Sequence, residues 1–240
     1  MSNTISIGFD ADEARDRAKK LASQFGFIVD NHVLPRLCVT TDKLVLLSGE
    51  FTPLFVDFSI KTWQKRHDAG KKQGLVRACK PTLGLRILDV TAGWGRDAAV
   101  LASFGATVLM LERQPMMAAL LDDGLRRMAL NSSRPLLLEL LHIDARTYLQ
   151  DLPEIDYPDV IYIDPMHPLR QKSALVKKDM QILQHLFGTD NDAKELLQLA
   201  IARTRTRVVV KWPQHQTPLL KPDLTTPGKT VRFDIYTHST

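Results

Sequence analysis

The sequence predicts a doubly wound α/β fold built on a mostly parallel β-sheet. From Arg86 onward, short apolar runs rich in β-branched residues alternate with helical patterns, which is the arrangement of βαβ units. A glycine turn follows the first run, and an acidic residue stands at or just beyond the end of each of the next three. Because the carboxyl ends of parallel strands share one edge of a sheet, these residues predict a ligand site at that edge.

The predicted strands and helices account for most of the chain after residue 80. Parallel strands are expected at residues 86–90, 107–111, 137–143, 160–163 and 207–210, and helices at 96–104, 115–128, around 173–187 and at 192–203. Pro115 suits a first helical turn because its missing N–H would have no partner there. The last apolar run, residues 231–236, follows a stretch too short for a crossover helix, so we expect it to return antiparallel.

The first part of the chain, residues 1–80, is predicted to form a small N-terminal α+β accessory region, with the main domain at residues 81–240. Short strands are expected at residues 5–9, 36–39, 44–47 and 55–58, and a helix across 11–25.

Composition narrows the class of protein. With 240 residues, 44% of them hydrophobic, the chain can build one full α/β domain and a smaller region. Cys38 and Cys79 are far apart and belong to no Cys/His cluster, so we expect no metal and a reduced, cytoplasmic setting. We also expect no secretory signal and no membrane partner, because no apolar run approaches the roughly 18 residues of a membrane span. The net charge of +5 is compatible with a polyanionic partner.

The glycine turn lies between a predicted buried strand, which ends near Asp89, and a helix. Gly93 and Gly95 lack a Cβ, so the backbone can turn tightly there and approach a ligand closely. Together with Ala98 they also match the GxGxxA pattern of dinucleotide-binding domains. An NAD-dependent oxidoreductase is therefore one alternative.

Glu112 and Asp144 are candidate contacts to an adenosyl group. Glu112 lies 23 positions after Asp89, at the end of the second predicted strand, where a carboxylate can accept both ribose hydroxyls. Asp144 ends the third predicted strand, within reach of an adenine amino group. A strand-end acid can also simply cap the next helix, and that alternative stays open for either residue alone.

The residues after the fourth predicted strand form the most discriminating pattern. Asp164 is followed by Pro165-Met166-His167-Pro168, and the two prolines fix an extended loop because neither can continue a strand or lie inside a helix. The acid and the carbonyl beside proline can accept hydrogen bonds from an exocyclic NH2 group and align its lone pair with a methyl sulfonium. The pattern favours an amino-group methyltransferase, with a plain strand-terminating turn as the alternative.

This loop resembles the D/N-P-P-Y loop of amino methyltransferases, and segments from Phe55 to Tyr236 resemble the ribosomal RNA small subunit methyltransferase J family. The matching segments are FVDF at residues 55–58, DVTAGWGRD at 89–97, MLER at 110–113, AALLDDGL at 118–125, QKSALVKK at 171–178, RVVVK at 207–211 and RFDIY at 232–236. The long QKSALVKK segment is far more specific than a glycine turn.

The resemblance implies a class I methyltransferase with a Rossmann-like, mostly parallel seven-stranded sheet, which uses S-adenosyl-L-methionine to methylate the N2 amine of a guanosine in small-subunit (16S) ribosomal RNA, free or in the 30S particle. Cofactor contacts are implied for Arg96, Asp97, Glu112, Arg113, Asp144, Ala145 and Asp164; Asp89, Gly93 and Gly95 complete the predicted cofactor site. Asp164, Pro165 and His167 are the predicted catalytic residues. Two residues depart from the family pattern: Trp94, whose side chain is expected to point to solvent, and His167, at the usual position of an aromatic that stacks on the target base.

Two basic segments are predicted to bind RNA. Residues 61–86 hold eight basic residues against one acid, Asp68, so their local excess of seven exceeds the +5 of the whole chain. The predicted contacts are Lys61, Lys65, Arg66, Lys71 and Lys72 and, after the Asp164 loop, Lys172, Lys177 and Lys178. A solvated face is the alternative for each segment.

Two rival functions remain. The NAD-dependent oxidoreductase lacks a hydride-transfer constellation, and a non-catalytic RNA-binding assembly protein would not need acids at all the cofactor positions. Methyl transfer from a sulfonium is an in-line displacement that depends on position, so we expect no metal.

Overall fold

The computed structural model describes residues 5–49, 52–133, 135–166 and 192–237. The strands are β1 (Ser6–Phe9), β2 (Ile28–Val29), β3 (Arg36–Val39), β4 (Leu44–Leu47), β5 (Arg86–Asp89), β6 (Thr107–Glu112), β7 (Leu138–His142), β8 (Val160–Ile163), β9 (Arg207–Pro213), β10 (Leu224–Thr226) and β11 (Val231–Thr237). The helices are α1 (Arg15–Phe25), α2 (Ile60–Ala69), α3 (Gly74–Cys79), α4 (Arg96–Ser103), α5 (Pro115–Asn131), α6 (Ala145–Asp151) and α7 (Ala193–Ile201). Short 3-10 turns lie at Asp12–Ala14, Gly70–Lys72 and Glu154–Asp156.

The chain forms two compact units. Of the described residues, the first unit contains those up to Asp57 together with 114–133, and the second contains 58–113, 135–166 and 192–237. The predicted boundary at residue 80, between an accessory region and the main domain, stays a prediction.

The first unit is built on a four-stranded sheet in the order β2-β1-β3-β4. Strand β1 runs parallel to β2 and β3, and β4 is antiparallel to β3. Helix α1 buries Ala18, Leu21 and Ala22 at helical spacing and ends at Gly26, whose φ of 74° is left-handed. Asp123 of α5 is buried and accepts hydrogen bonds from the Leu44 backbone N–H and from three arginines, namely Arg17, Arg126 and Arg127.

The second unit is a seven-stranded sheet in the order β10-β11-β9-β8-β5-β6-β7. Strands β5 to β9 are parallel to one another, whereas β11 is antiparallel to both β9 and β10. This arrangement confirms the predicted doubly wound fold and the antiparallel return of the last strand. The chain moves outward from β5 to β6 and β7, then crosses back to β8, so the topological switch point lies between β5 and β8.

An apolar core fixes the elements of the second unit. Strands β8 and β9 contribute buried Ile161, Ile163, Val208 and Val210. Helix α7 packs on β9 and α6, with a buried stripe of Ala193, Leu196, Leu197 and Ala200 at positions i, i+3, i+4 and i+7. This core leaves the carboxyl ends of the strands as the edge where polar side chains collect.

Several predicted elements differ from the structure. The strand predicted at residues 55–58 is wrong: Val56 and Phe58 are buried, but the segment has no strand pairing beyond an isolated bridge at the adjacent Leu54. Helices α2, α3 and α6 and strands β2 and β10 were not predicted. The helix predicted around residues 173–187 lies outside the described residues. Among the helices that are described, none combines the length and apolar character needed to cross a membrane.

Candidate active site

The glycine turn connects β5 to α4 in the predicted way. Gly93 and Gly95 have left-handed φ values of 52° and 68°, and Gly95 is the N-cap of α4. Asp89, at the end of β5, is only 1% exposed, and its Oδ1 accepts the Thr91 backbone N–H at 3.1 Å. Burial raises the pKa of Asp89 to about 8, and the neighbouring acids Asp97, Asp164 and Glu112 contribute to that rise.

Glu112 closes one side of this turn. It is the last residue of β6, it is buried, and its Oε2 accepts the Gly93 backbone N–H at 3.0 Å. The carboxylate therefore lies against the glycine turn, where a ribose contact is expected.

Asp164 follows β8, on the other side of the switch point. Its backbone N–H donates to the Thr91 hydroxyl at 2.6 Å, so the glycine turn and the Asp164 loop are tied together. Pro165 is buried directly beside it. His167 lies outside the described residues, so its stacking role stays a prediction.

A charged network surrounds Asp164 and Asp97. Lys211 of β9 donates to Asp164 Oδ2 at 2.6 Å and to Asp97 Oδ2 at 3.2 Å. Asp97, in the first turn of α4, also accepts the Tyr162 hydroxyl at 2.6 Å and the Arg66 guanidinium at 2.7 Å. Two cations and a phenol therefore converge on a pair of carboxylates.

The network sets the ionisation of its members. Burial favours the neutral form of Asp97, but Lys211 and Arg66 outweigh it and hold the Asp97 pKa well below its usual value. Burial dominates at Asp164 and raises its pKa, although Lys211 opposes that shift. Burial also opposes the charge on Lys211, yet Asp164 and Asp97 together raise the pKa of its ammonium.

Asp144 adopts the helix-capping geometry that the sequence left open. Strand β7 ends at His142, two residues earlier than Asp144, and Asp144 is the N-cap of α6, with its Oδ1 accepting the Arg146 backbone N–H at 2.9 Å. Arg113 reaches Asp192 at 2.8 Å and Asp144 at 3.8 Å. Ala145 begins α6 and is buried. The contacts of Asp144 and Ala145 with the adenine of a cofactor remain predictions.

Trp94 is placed differently from the expectation. Its side chain is 8% exposed and not directed to solvent, and the Arg96 guanidinium lies 5.9 Å from the ring centre. The buried indole Nε1–H has no hydrogen-bond partner within the described part of the chain. A buried donor without a partner beside the glycine turn is a position that a polar ligand can satisfy.

The predicted RNA contacts divide into two groups. Lys61, Lys65, Lys71 and Lys72 are exposed on α2 and the following 3-10 turn. Arg66 instead points at Asp97 and also donates to Gln73 Oε1 at 2.9 Å, so it belongs to the charged network. Lys172, Lys177 and Lys178 lie outside the described residues.

Sequence reasoning missed Lys211 and Tyr162 as site residues. The pairing register of β8 and β9 is what indicates Lys211. Ile163 of β8 pairs with Val210 of β9, so the next residues, Asp164 and Lys211, lie side by side. That register is a long-range property that the apolar runs alone do not specify.

The residues present fit an S-adenosylmethionine site. A Cβ built on Gly93 would meet only the Thr91 carbonyl oxygen, at 3.8 Å, so the turn leaves space for a ligand. The carboxylates supply hydrogen-bond acceptors for hydroxyl and amino groups and negative charge near a sulfonium. Over the described ranges, no group of three or more His, Cys, Asp and Glu side chains is arranged to hold a metal ion. The fold and the site together define a class I S-adenosylmethionine-dependent methyltransferase.

Comparisons with known proteins lead to the same class. A family model described as "Putative SAM-dependent methyltransferase" matches residues 20–238. The ribosomal RNA small subunit methyltransferase J of Legionella pneumophila (strain Lens) is 54% identical over 236 residues, covering 98% of this chain and 97% of its own. The Coxiella burnetii protein of the same name is 42% identical over 254 residues, covering 98% of each chain. A crystal structure of a SAM-dependent methyltransferase from Neisseria gonorrhoeae superposes with a TM-score of 0.75 at 29% identity, covering 97% of this chain and 96% of that one.

This chain belongs to the ribosomal RNA small subunit methyltransferase J family. The predicted family, fold class and cofactor are confirmed. Neither an NAD-dependent oxidoreductase nor a non-catalytic assembly protein is favoured.

Proposed function

We propose that the protein transfers a methyl group from S-adenosylmethionine to the exocyclic N2 amine of a guanosine in small-subunit ribosomal RNA, free or within the 30S particle, in the cytoplasm. The observation that carries the proposal is the position of Asp164, held beside the glycine turn by the Thr91 hydroxyl and Lys211. The names of the curated relatives support a small-subunit RNA substrate.

The chemistry of the guanine amine explains why such a site is needed. Its lone pair is delocalised into the ring, so the amine is a weak nucleophile until it is oriented. We assign Asp164 and the Pro165 carbonyl as the two acceptors of its N–H groups, which turn the lone pair toward the methyl group. His167 is the proposed stacking partner of the base.

The cofactor side of the site is assigned from the same edge of the sheet. When bound, S-adenosylmethionine supplies a methyl group activated by its sulfonium. We assign Glu112 to the ribose and Asp144 with Ala145 to the adenine. Contacts with the remaining parts of the cofactor, its methionine portion and its sulfonium, are assigned to Asp89, Gly93, Gly95, Arg96, Asp97, Arg113 and Asp164.

RNA is proposed to bind through exposed lysines. Lys61, Lys65, Lys71 and Lys72 contact phosphates without base specificity, with Lys172, Lys177 and Lys178 as further contacts. Arg66 serves the charged network on Asp97 in preference to a phosphate, because it is already paired there.

The test is incubation of the protein with S-adenosylmethionine and small-subunit ribosomal RNA from cells that lack this gene. We expect N2-methylguanosine by nucleoside mass spectrometry, at one site located by fragment mapping. Parallel reactions with free RNA and with 30S particles identify the substrate form. A methyl group on another base or atom, with N2-methylguanosine absent from both reactions, would overturn the proposal.

A further inference from the structure

Lys211 links the loop that follows β8 to a rigidly held residue of α4. Its ammonium lies 2.6 Å from Asp164 Oδ2 and 3.2 Å from Asp97 Oδ2, while its side chain is 27% exposed. Strands β8 and β9 are neighbours, and their pairing register brings the lysine beside Asp164, so the contact follows from the sheet itself. A lysine at this position acts on a group in the site and has limited access to solvent.

Asp97 is the fixed end of this bridge. Arg66 holds its Oδ1 at 2.7 Å, and Tyr162 donates to its Oδ2 at 2.6 Å. Both oxygens are therefore bound by groups on α2 and β8, and the carboxylate has little freedom to rotate. Lys211 extends from a defined point to reach Asp164.

We propose that Lys211 is a positioning residue that orients the Asp164 carboxylate toward the substrate amine. The lysine holds Oδ2, and within the described residues the side-chain hydrogen bonding of Asp164 involves Oδ2 alone. Oδ1 is consequently the oxygen presented to an amine. This inference rests on the proposed function, because it assigns Asp164 to the acceptor amine.

The lysine also balances the charge of the site. The titratable and charged groups that face Asp164 and its bridge are Asp89, Asp97, Tyr162, Arg66 and Lys211, and Glu112 faces Asp89. Without the ammonium, burial and the charge of Asp97 are still opposed by Arg66 but no longer by Lys211, so Asp164 takes up a proton at a higher pH. A neutral carboxylic acid accepts hydrogen bonds from the amine less well than a carboxylate.

The transfer needs that acceptor in its ionised form. The N2 lone pair forms the new N–C bond, the C–S bond breaks with its electron pair left on sulfur, and one N2 proton is lost. Asp164 accepts that proton, or passes it to water, only when it is a carboxylate. Lys211 thus maintains both the orientation and the protonation state of Asp164.

The kinetic test compares Lys211→Met with Lys211→Arg in single-turnover reactions at saturating S-adenosylmethionine and RNA across a pH series. We expect the methylation rate of Lys211→Met to fall at least about tenfold near neutral pH. We also expect the acid limb of its pH–rate profile to shift to higher pH by at least about one pH unit. Lys211→Arg keeps a cation and should hold the acid limb near the wild-type position, even if its rate falls. Lys194→Met, which removes an exposed lysine from α7, is the matched control. A uniform loss with an unmoved limb, or no loss, would overturn the inference.

A second measurement keeps this inference separable from the proposed function. The carboxyl carbons of Asp164 and Asp97 can be titrated by NMR in the unliganded protein, with assignments from Asp164→Asn. We expect the titration associated with Asp164 to move to higher pH in Lys211→Met and to stay in place in Lys194→Met. An identical titration in Lys211→Met would refute the role of the lysine, whatever base the enzyme methylates. If the titration moves but N2-methylguanosine is never formed, the proposed function fails on its own.

Discussion

Replacing Asp89 with asparagine should change how the stability of the protein depends on pH. The Asp89 carboxyl is 1% exposed and its pKa is raised to about 8 in the folded state, mainly by burial, from a value of 3.8 in an unperturbed chain. Between these two values the folded protein holds a proton that the unfolded chain has released. The stabilisation is therefore complete below the unfolded pKa, and is lost as pH rises through the folded pKa.

The size of the effect follows from linkage. One group contributes at most about 1.4 kcal/mol per pH unit, or about 3 kcal/mol from about pH 5 to about pH 7. The asparagine side chain of the variant keeps an oxygen that can accept the Thr91 backbone N–H but cannot ionise. The free energy of unfolding of Asp89→Asn, minus that of the wild type, should therefore rise with pH over this interval and level off above about pH 8.

Urea unfolding of the ligand-free protein at a series of pH values measures this difference. Asp68→Asn removes an exposed carboxylate from α2 and is the control for the loss of one surface charge. A difference between Asp89→Asn and wild type that stays constant from acid to alkaline pH would show that folding does not raise the pKa of Asp89. The account of its buried environment would then be wrong.

Three further predictions concern function. Glu112→Ala should weaken S-adenosylhomocysteine binding by about 10- to 150-fold in calorimetry, because a charge-assisted hydrogen bond to the ribose contributes about 1.5 to 3 kcal/mol. Replacing Lys71 and Lys72 together with glutamine should reduce the salt slope of RNA affinity by about two units, since each lysine that neutralises a phosphate contributes about one. Asp164→Ala should slow single-turnover methylation by at least about 100-fold with RNA affinity little changed, and Asp164→Asn, which keeps an acceptor oxygen but cannot ionise, separates the two roles: an equal loss means that the charge is required, and a milder loss means that orientation dominates.

Each of these has a result that would contradict it. An unchanged dissociation constant would remove Glu112 from the ribose site. A slope equal to wild type would leave Lys71 and Lys72 as a solvated surface, and Lys19→Gln with Lys20→Gln, in the first unit, controls for the loss of two charges. Wild-type rates in both Asp164 variants would remove that residue from the reaction.

Local patterns predicted the centre of the main sheet because its central strands are buried on both faces. The runs at residues 160–163 and 207–210 are apolar and β-branched except at Tyr162 and Arg207, and they became β8 and the first part of β9. The glycine turn, Glu112 and Asp164 were found for a related reason, since each follows directly from a strand end at a known edge of the sheet.

The missed features depend on information that a local pattern lacks. Helix α2 has no buried residue, so it carries no apolar stripe that could indicate it. In the segment at residues 55–58, Val56 and Phe58 satisfy an alternating pattern through burial without strand pairing. Lys211 and Asp97 are 114 positions apart, and only the folded sheet and α4 bring them together.

The hydrogen bond between the Asp164 backbone and the Thr91 hydroxyl restricts how the site can vary. A serine at position 91 keeps the acceptor oxygen, whereas valine has the same shape but removes it. Proline is excluded at position 164 because it has no N–H to donate, although the next residue, Pro165, is itself a proline. A loop grafted here to select a different base must therefore keep a backbone N–H at residue 164, whatever side chains follow it.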